Sequence, residues 1–285
     1  GLALPILAPS GVASALTHWG SADQQATYLP EFAGENVPQA SVVIAEPHAL
    51  FDPTALKTTA VRTPGGYRLS GVKSLVPAAG SAELFIVAAQ LNGKPALFIV
   101  EASADGVTVE ADPSMGVRAA ALGRVALDNV AVPLHNRLGE PDRSDQDYAQ
   151  DFSEAIAYSR LGWAALAVGT SHAVLDYVIP YIKEREAFGE PIAHRQAVAF
   201  MTANIAIELD GLRLIALRGA ARAEQGLTFA REAALAKRIA TDKGMQIGLD
   251  GVQLLGGHGF TKEHPVERWY RDLRVLGVAE GVVVL

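Results

Sequence analysis

Hydrophobic positions recur with different periods in successive parts of this chain. Through residues 1–40, Leu2-Ala3-Leu4, Ile6-Leu7 and Val12-Ala13 read as the end of a helical region. Trp19-Gly20-Ser21 breaks the pattern and Ser21-x-x-Gln24 restarts it with the spacing of a capping box; Tyr28-Leu29-Pro30 then closes the helix. From 41 to 133 the apolar runs are short, among them Ser41-Val42-Val43-Ile44, Leu84-Phe85-Ile86-Val87-Ala88-Ala89, Ala96-Leu97-Phe98-Ile99-Val100 and Val125-Ala126-Leu127. Turn residues separate them, and Asn92-Gly93 is a tight-turn signal. Short strands at this spacing predict an antiparallel barrel or sandwich. The polar stretch Glu140-Pro141-Asp142-Arg143-Ser144-Asp145-Gln146-Asp147 reads as a linker. After 151 the period is helical. Ile156, Leu161, Ala164, Leu166 and Val168 lead into Val174-Leu175-Val178-Ile179, where Pro180 should kink or restart the helix. Val198, Met201, Ile205, Leu209, Leu212 and Ala216 make one buried stripe on a helix over 196–224. Gln225-Gly226 ends it, and another helix spans about 228–254. Four long helices predict an antiparallel bundle. The fold class expected is therefore α+β: the end of an N-terminal helical domain (1–40), an antiparallel β-barrel middle domain (41–133), a linker (134–150), and a four-helix bundle C-terminal domain (151–285).

Composition narrows the function classes. Among 285 residues, 49% are hydrophobic and 19% charged, enough for one large or two modest domains with a real core. A net charge of −7 argues against a nucleic-acid surface. The chain has no cysteine, so neither a disulfide framework nor a thiolate metal site is expected. Seven histidines are scattered, His258 and His264 being the closest pair, without metal-ligand spacing. No uninterrupted apolar run is long enough to span a bilayer, and Gly1 opens no signal-peptide pattern. A cytoplasmic location fits these features.

The candidate chemistry lies near the end. Val252-Gln253-Leu254-Leu255-Gly256-Gly257-His258-Gly259-Phe260 runs a helical pattern into a glycine turn, where the backbone can take positive φ and let a ligand approach closely. A short helix starts near Pro265, and Ala279-Glu280-Gly281 follows with a lone carboxylate. On spacing alone this is a helix cap followed by a solvated acid. The stretch nevertheless resembles the C-terminal signature of the flavin-dependent acyl-CoA dehydrogenases, V-Q-x-x-G-G-x-G-[FY], P-V-E-R-x-x-R-D and E-G. Glu184-Arg185-Glu186-Ala187-Phe188-Gly189-Glu190-Pro191-Ile192 with Gln196 and Phe200 resembles the same family's E-R-x-x-F-G-x-P-I-x-x-x-Q-x-x-x-F. Weaker similarity covers almost the whole chain and implies that most of an N-terminal helical domain is missing before residue 1.

That resemblance implies the removal of an α-proton and a β-hydride from an acyl-CoA thioester, with FAD as cofactor and an electron-accepting flavoprotein as partner. It makes Glu280 the α-proton base; the alternative position of the base in some relatives is Ser159 here, and the neighbouring Arg160 matches a family arginine near the substrate. In the family each FAD lies at a subunit interface. The contacts donated to the neighbour's FAD are matched by Arg185, Phe188, the His194-Arg195-Gln196 turn, Gln253 and Gly256-Gly257. The contacts to the chain's own flavin are degraded. T-E-P-G-A-G-S-D appears as Ala45-Glu46-Pro47-His48-Ala49-Leu50-Phe51-Asp52, W-I-T as Leu75-Val76-Pro77, and E-G-T-S-Q as Glu280-Gly281-Val282-Val283-Val284.

Three functions follow from this resemblance. The first expected is one subunit of a heteromeric (α2β2) acyl-CoA dehydrogenase, completing the FAD site of a homologous partner subunit, as in actinobacterial relatives acting on steroid side chains. The others are an ordinary homo-oligomer with its own FAD and a non-catalytic scaffold. Ala279, where a bulky aromatic is common in the family, is consistent with a roomy acyl pocket.

Overall fold

The computed structural model describes residues 3–281, which form two compact units. One runs to Ile156 and is rejoined at Ala279; the other is Ala157–Val278. Val282, Val283 and Val284 lie outside the described residues.

The first unit opens with α1 (Ala3–Trp19) and α2 (Ala22–Phe32). The expected capping box is present: Gln24 N–H donates to Ser21 Oγ (3.2 Å) and Ser21 N–H to Gln24 Oε1 (2.9 Å). Gln24 is buried and does more than cap, since its amide donates to His135 O (2.7 Å) and Arg137 O (2.8 Å). Pro30 lies inside α2, which continues two residues beyond it.

Seven strands follow: β1 (Ala40–Val43), β2 (Thr59–Thr63), β3 (Gly66–Val76), β4 (Leu84–Leu91), β5 (Lys94–Glu101), β6 (Val107–Ala111) and β7 (Gly123–Pro133). They pair in the order β1-β4-β2-β3-β7-β6, with β5 also on β4. Most pairs are antiparallel, but β1 runs parallel to β4, and β2 meets β4 in parallel at Thr59↔Gln90. The wholly antiparallel sheet expected from the sequence is thus a mixed one. β4 pairs with β1, β2 and β5, and its Leu84–Ala89 run is buried throughout, the pattern of strands that take parallel neighbours. Irregularities at Leu69/Gly71 and Lys73/Val76 break the β3–β7 register, and bulges of this kind curl a sheet. Asn92 and Gly93, both at positive φ, make the two-residue β4–β5 turn. The core is Val43, Leu69, Phe85, Val87, Phe98, Val125 and their neighbours.

α3 (Asp145–Glu184) begins inside the polar stretch, where Ser144 and Asp147 cap each other's backbone N–H (3.3 and 3.0 Å). Pro180 does not divide it. Pro180 and Asp176, whose carbonyl loses its partner, are both exposed, so water can satisfy the group that a mid-helix proline strands. The second unit therefore holds three long helices, the greater part of α3 with α4 (Gln196–Glu224) and α5 (Ala230–Leu254), and the short α6 (Val266–Leu273). The fourth long helix of the expected bundle is absent among the described residues. A hairpin, β8 (Glu186–Ala187) and β9 (Glu190–Pro191), joins α3 to α4. By length and composition α3 could cross a membrane. Its residues Ala164, Ala167, Val174 and Val178 are spent instead on two helical cores with Leu212, Ala236, Ile205 and Ile247.

α5 approaches its neighbours through glycines one turn apart. A Cβ on Gly248 would stand 3.0 Å from Tyr270 Cα, and one on Gly251 2.6 Å from Val174 Cγ1. Gly169, on the exposed side of α3, meets nothing within 4 Å. Gly248→Val should therefore destabilise the protein by about 1–3 kcal/mol through overpacking. Gly169→Ala should be neutral or stabilise by up to about 1 kcal/mol. Urea midpoints of the two variants check the contrast; equal shifts would show that α5 and α6 are not packed this closely.

Candidate functional site

The motif residues converge on a cleft of about 960 Å3 lying wholly within the second unit. α3 ends at Glu184 and presents Arg185 to the cleft; Arg185 N–H bonds back to Tyr181 O (2.8 Å) and its carbonyl accepts from Ile192 N–H (2.9 Å). The hairpin then turns at Phe188 and Gly189, both at positive φ. Phe188 is 95% exposed. Arg195, at the start of α4, lies 5.6 Å from the Phe188 ring centroid and pairs with Glu190 (3.0 Å). Gln253, from the last turn of α5, lines the opposite wall with Gly256, Gly257 and His258. Gly256 is at φ +57, and a Cβ on either glycine would meet nothing within 4 Å. The backbone there faces open space, a cradle that side chains would fill. Ile192, Val198 and Met201 supply an apolar wall. Arginines beside open glycine backbone suit an anion, and the apolar wall suits a flat ring.

Arg185, Phe188, Gln253, Gly256 and Gly257 are thus brought together. Gln196, the first residue of α4, is exposed between Arg195 and Ala197 but does not line the cleft. Arg160 and Ser159 sit half-buried in α3, away from it. Glu280 belongs to the first unit and is 7% exposed, at φ +58.

Two further groups are assembled only by the fold. One is a ring cluster beside the cleft. His258 and His264 stack at 5.5 Å, with Nδ1 of each hydrogen-bonded to a phenol, Tyr181 (2.9 Å) and Tyr177 (2.8 Å). The Tyr177/Tyr181 spacing of one helical turn was its only local signal. The other is an ion pair in the first unit. Lys73 is fully buried and donates to Glu46 Oε1 (2.9 Å) and Ile44 O (3.1 Å). Glu46 also accepts from the N–H groups of Lys57 (2.7 Å) and Thr58 (2.9 Å).

This pair fixes the segment that precedes Phe51. His48 lies 3.3 Å from Glu46 and edge-on to Phe51. Phe51 is buried, while Leu50 turns outward at φ +53. The Phe51 carbonyl sits against Gly281, at φ +80, where a Cβ would come within 2.2 Å of it. Along Ser74–Ala78 the backbone donors are consumed internally: Ser74 by Ala45 O (2.9 Å), Leu75 by Asp112 (3.1 Å) and Ala78 by Ala120 O (2.8 Å). Pro77 has none, and its carbonyl accepts from Ser41 Oγ (2.6 Å).

Two family models match the chain: the acyl-CoA dehydrogenase middle domain over residues 41–130 and the C-terminal domain over 150–283. An acyl-CoA dehydrogenase of Bacillus subtilis is 32% identical over 276 residues, covering 93% of this chain and 70% of that protein. The mitochondrial short/branched chain specific acyl-CoA dehydrogenase of Bos taurus is 32% identical, over 92% of this chain and 61% of its own length. The caffeyl-CoA reductase-Etf complex subunit CarC of Acetobacterium woodii is 33% identical, over 92% of this chain and 69% of its own. Among solved structures, butyryl-CoA dehydrogenase from Megasphaera elsdenii superposes with a TM-score of 0.85 at 28% identity, over 96% of this chain and 72% of that one. The chain belongs to the acyl-CoA dehydrogenase family, whose members are FAD-dependent enzymes.

The buried pair has a signature in acid. Burial opposes ionisation of Glu46, but Lys73 and the Lys57 and Thr58 N–H groups outweigh it and lower its carboxyl to about 2. A carboxyl depressed in the fold stabilises above its unfolded value, and that stability is lost as pH falls through the folded one. Stability should fall steadily between about pH 4.5 and 2. The Glu46→Gln variant, less stable at neutral pH, should lose less over that window. Denaturation midpoints across it check this; identical slopes would mean the carboxylate is not held by these partners.

Proposed function

We propose that the chain is one subunit of a FAD-dependent acyl-CoA dehydrogenase that desaturates the α,β bond of an acyl-CoA thioester. Its partner is a homologous subunit in an α2β2 assembly, and this chain completes the partner's FAD site while holding no flavin against its own sheet. The observation that carries this is the contrast between two surfaces. The helical cleft keeps charged and backbone groups suited to a dinucleotide: Arg185 for a pyrophosphate, Gln253 for polar edges, Gly256-Gly257 for close approach. Phe188 and Gln196 at its margin extend the same surface. The sheet side has Phe51 packed on Gly281 and donors at 74–78 already engaged.

FAD, when bound, supplies the acceptor for the β-hydride. In the working site a carboxylate takes the α-proton, and exclusion of water keeps such a base in the operating range. Arg160 is the residue proposed to face the substrate. Ala279 motivates a bulky acyl group, such as a steroid side chain, because a small residue there leaves room. The Acetobacterium woodii relative, named for a complex with Etf, supports an electron-transferring flavoprotein as the acceptor.

The second reading is a homo-oligomer with one FAD per chain. The buried Glu280 favours it, since a carboxylate is retained where the family's base lies. A cofactor count on the purified assembly separates the two. About one FAD for two chains supports the shared site; one per chain restores the homo-oligomer. Arg185→Ala should weaken FAD retention about tenfold to hundredfold, the worth of a charged hydrogen bond of roughly 1.5–3 kcal/mol. Undiminished retention removes the cleft from the FAD site. If this chain houses chemistry, Glu280→Gln should lower kcat by several orders of magnitude and Glu280→Asp by less; unchanged turnover assigns the proton transfer to the partner.

A further inference from the structure

Two histidines stack beside the helical cleft. His258 lines the helical cleft together with Arg185, Arg195 and Gly257. Its Nδ1 is 2.9 Å from Tyr181 Oη, which is also 3.3 Å from Leu255 O. A carbonyl only accepts, so the phenol proton goes to Leu255 and the phenol oxygen accepts from His258 Nδ1–H. That arrangement leaves Nε2 as the nitrogen available to a ligand. The ionisable groups about the ring are Tyr181 from α3, the stacked His264 with Tyr177 bonded to it, and, along the cleft, Arg185 and Arg195, the latter with its partner Glu190. Among the residues lining the cleft there is no carboxylate. Arg195 is paired with Glu190 (3.0 Å), which leaves Arg185 and the His258 ring to meet an anion in the cleft.

We propose that His258 is a proton-dependent contact to the anionic part of the cleft's ligand, the pyrophosphate of a dinucleotide. It donates from Nε2 when protonated and makes ligand binding take up a proton. By linkage, whatever favours the protonated ring favours the ligand to the same extent. The proposal rests on the cleft being part of the FAD site. A dinucleotide pyrophosphate has no ionisation in the range where imidazoles titrate, about pH 5–8, so a pH dependence of affinity there reports the protein.

The experiment is FAD rebinding to the stripped full assembly, read by flavin fluorescence at pH 6 and pH 8, for the native chain, His258→Gln and Arg185→Ala. The native assembly should bind FAD roughly tenfold more tightly at pH 6, the scale of one charge-assisted hydrogen bond. His258→Gln, which keeps a hydrogen-bonding group toward Tyr181, should show a flat profile at the native pH 8 affinity. Arg185→Ala should weaken binding at both pH values and keep the slope. No slope in the native assembly, or the same slope in His258→Gln, overturns the proposal. If Arg185→Ala also leaves the affinity unchanged, the shared FAD site falls with it; if Arg185→Ala weakens binding while His258→Gln keeps the slope, only the His258 contact fails.

Discussion

A lysine ammonium with no exposure to water sits in the middle of β3, and much of the first unit follows from how it is satisfied. Isolating such a charge in the interior is prohibitive unless it is paired and hydrogen-bonded. Lys73 is lowered to about 8, because burial outweighs the Glu46 carboxylate beside it. Glu46 is in turn locked by two backbone N–H groups more than ten residues further along. One ion pair thus ties β3, the end of β1 and the loop entering β2 into a single arrangement. The loop between Glu46 and Lys57 cannot move freely, and Phe51 is held where its carbonyl meets Gly281. The closed character of this surface is therefore a property of the loop's anchorage as well as of its side chains.

The second unit solves the opposite problem. Its helices meet closely where α5 is glycine, and the connections around the cleft are left with backbone facing outward. Gly244, Gly248 and Gly251 let Leu276, Tyr270 and Val174 approach. Gly256 and Gly257, a turn later, meet nothing at all. The same residue type serves packing in the helix and openness beyond it. Phe188 fits this logic: a large aromatic at positive φ, met by the Arg195 guanidinium, stays 95% exposed, and a left-handed non-glycine residue costs on the order of 1–2 kcal/mol.

What the sequence revealed and what it hid divide along physical lines. Local chemistry was legible: Ser21 with Gln24, and Asn92 with Gly93, act within a few residues and behave as their spacing requires. The cleft was legible through Arg185, Gln253 and Gly256-Gly257 because the motifs place them at helix ends. Pro180 does not restart a helix, because the cost of a mid-helix proline depends on whether the freed carbonyl reaches water, which only the fold decides. The parallel β1–β4 pairing was hidden because a strand buried on both faces carries no alternation to mark its neighbours. Glu46–Lys73 and the Tyr–His cluster join residues 27 and 77–87 positions apart, beyond any periodicity. Ser144 and Asp147 are the instructive case, since a capping signal stood inside a stretch whose polarity alone made it read as a linker.

Glu280 follows the point where the chain changes unit. The chain leaves the helical unit at Val278 and rejoins the first at Ala279. Two residues earlier its path is fixed: the buried Lys237 donates to Leu276 O (2.6 Å) and Thr241 Oγ1 donates to the same carbonyl (3.0 Å). On the other side, Gly281 rests on the Phe51 carbonyl. Between those anchors only Gly277, Val278, Ala279 and Glu280 remain to span the change of unit, and Glu280 takes left-handed φ within that span. A residue with a Cβ holds that conformation at some cost in strain. Within the first unit, Glu280 is followed directly by a glycine seated on the Phe51 carbonyl, in the loop that the buried ion pair holds.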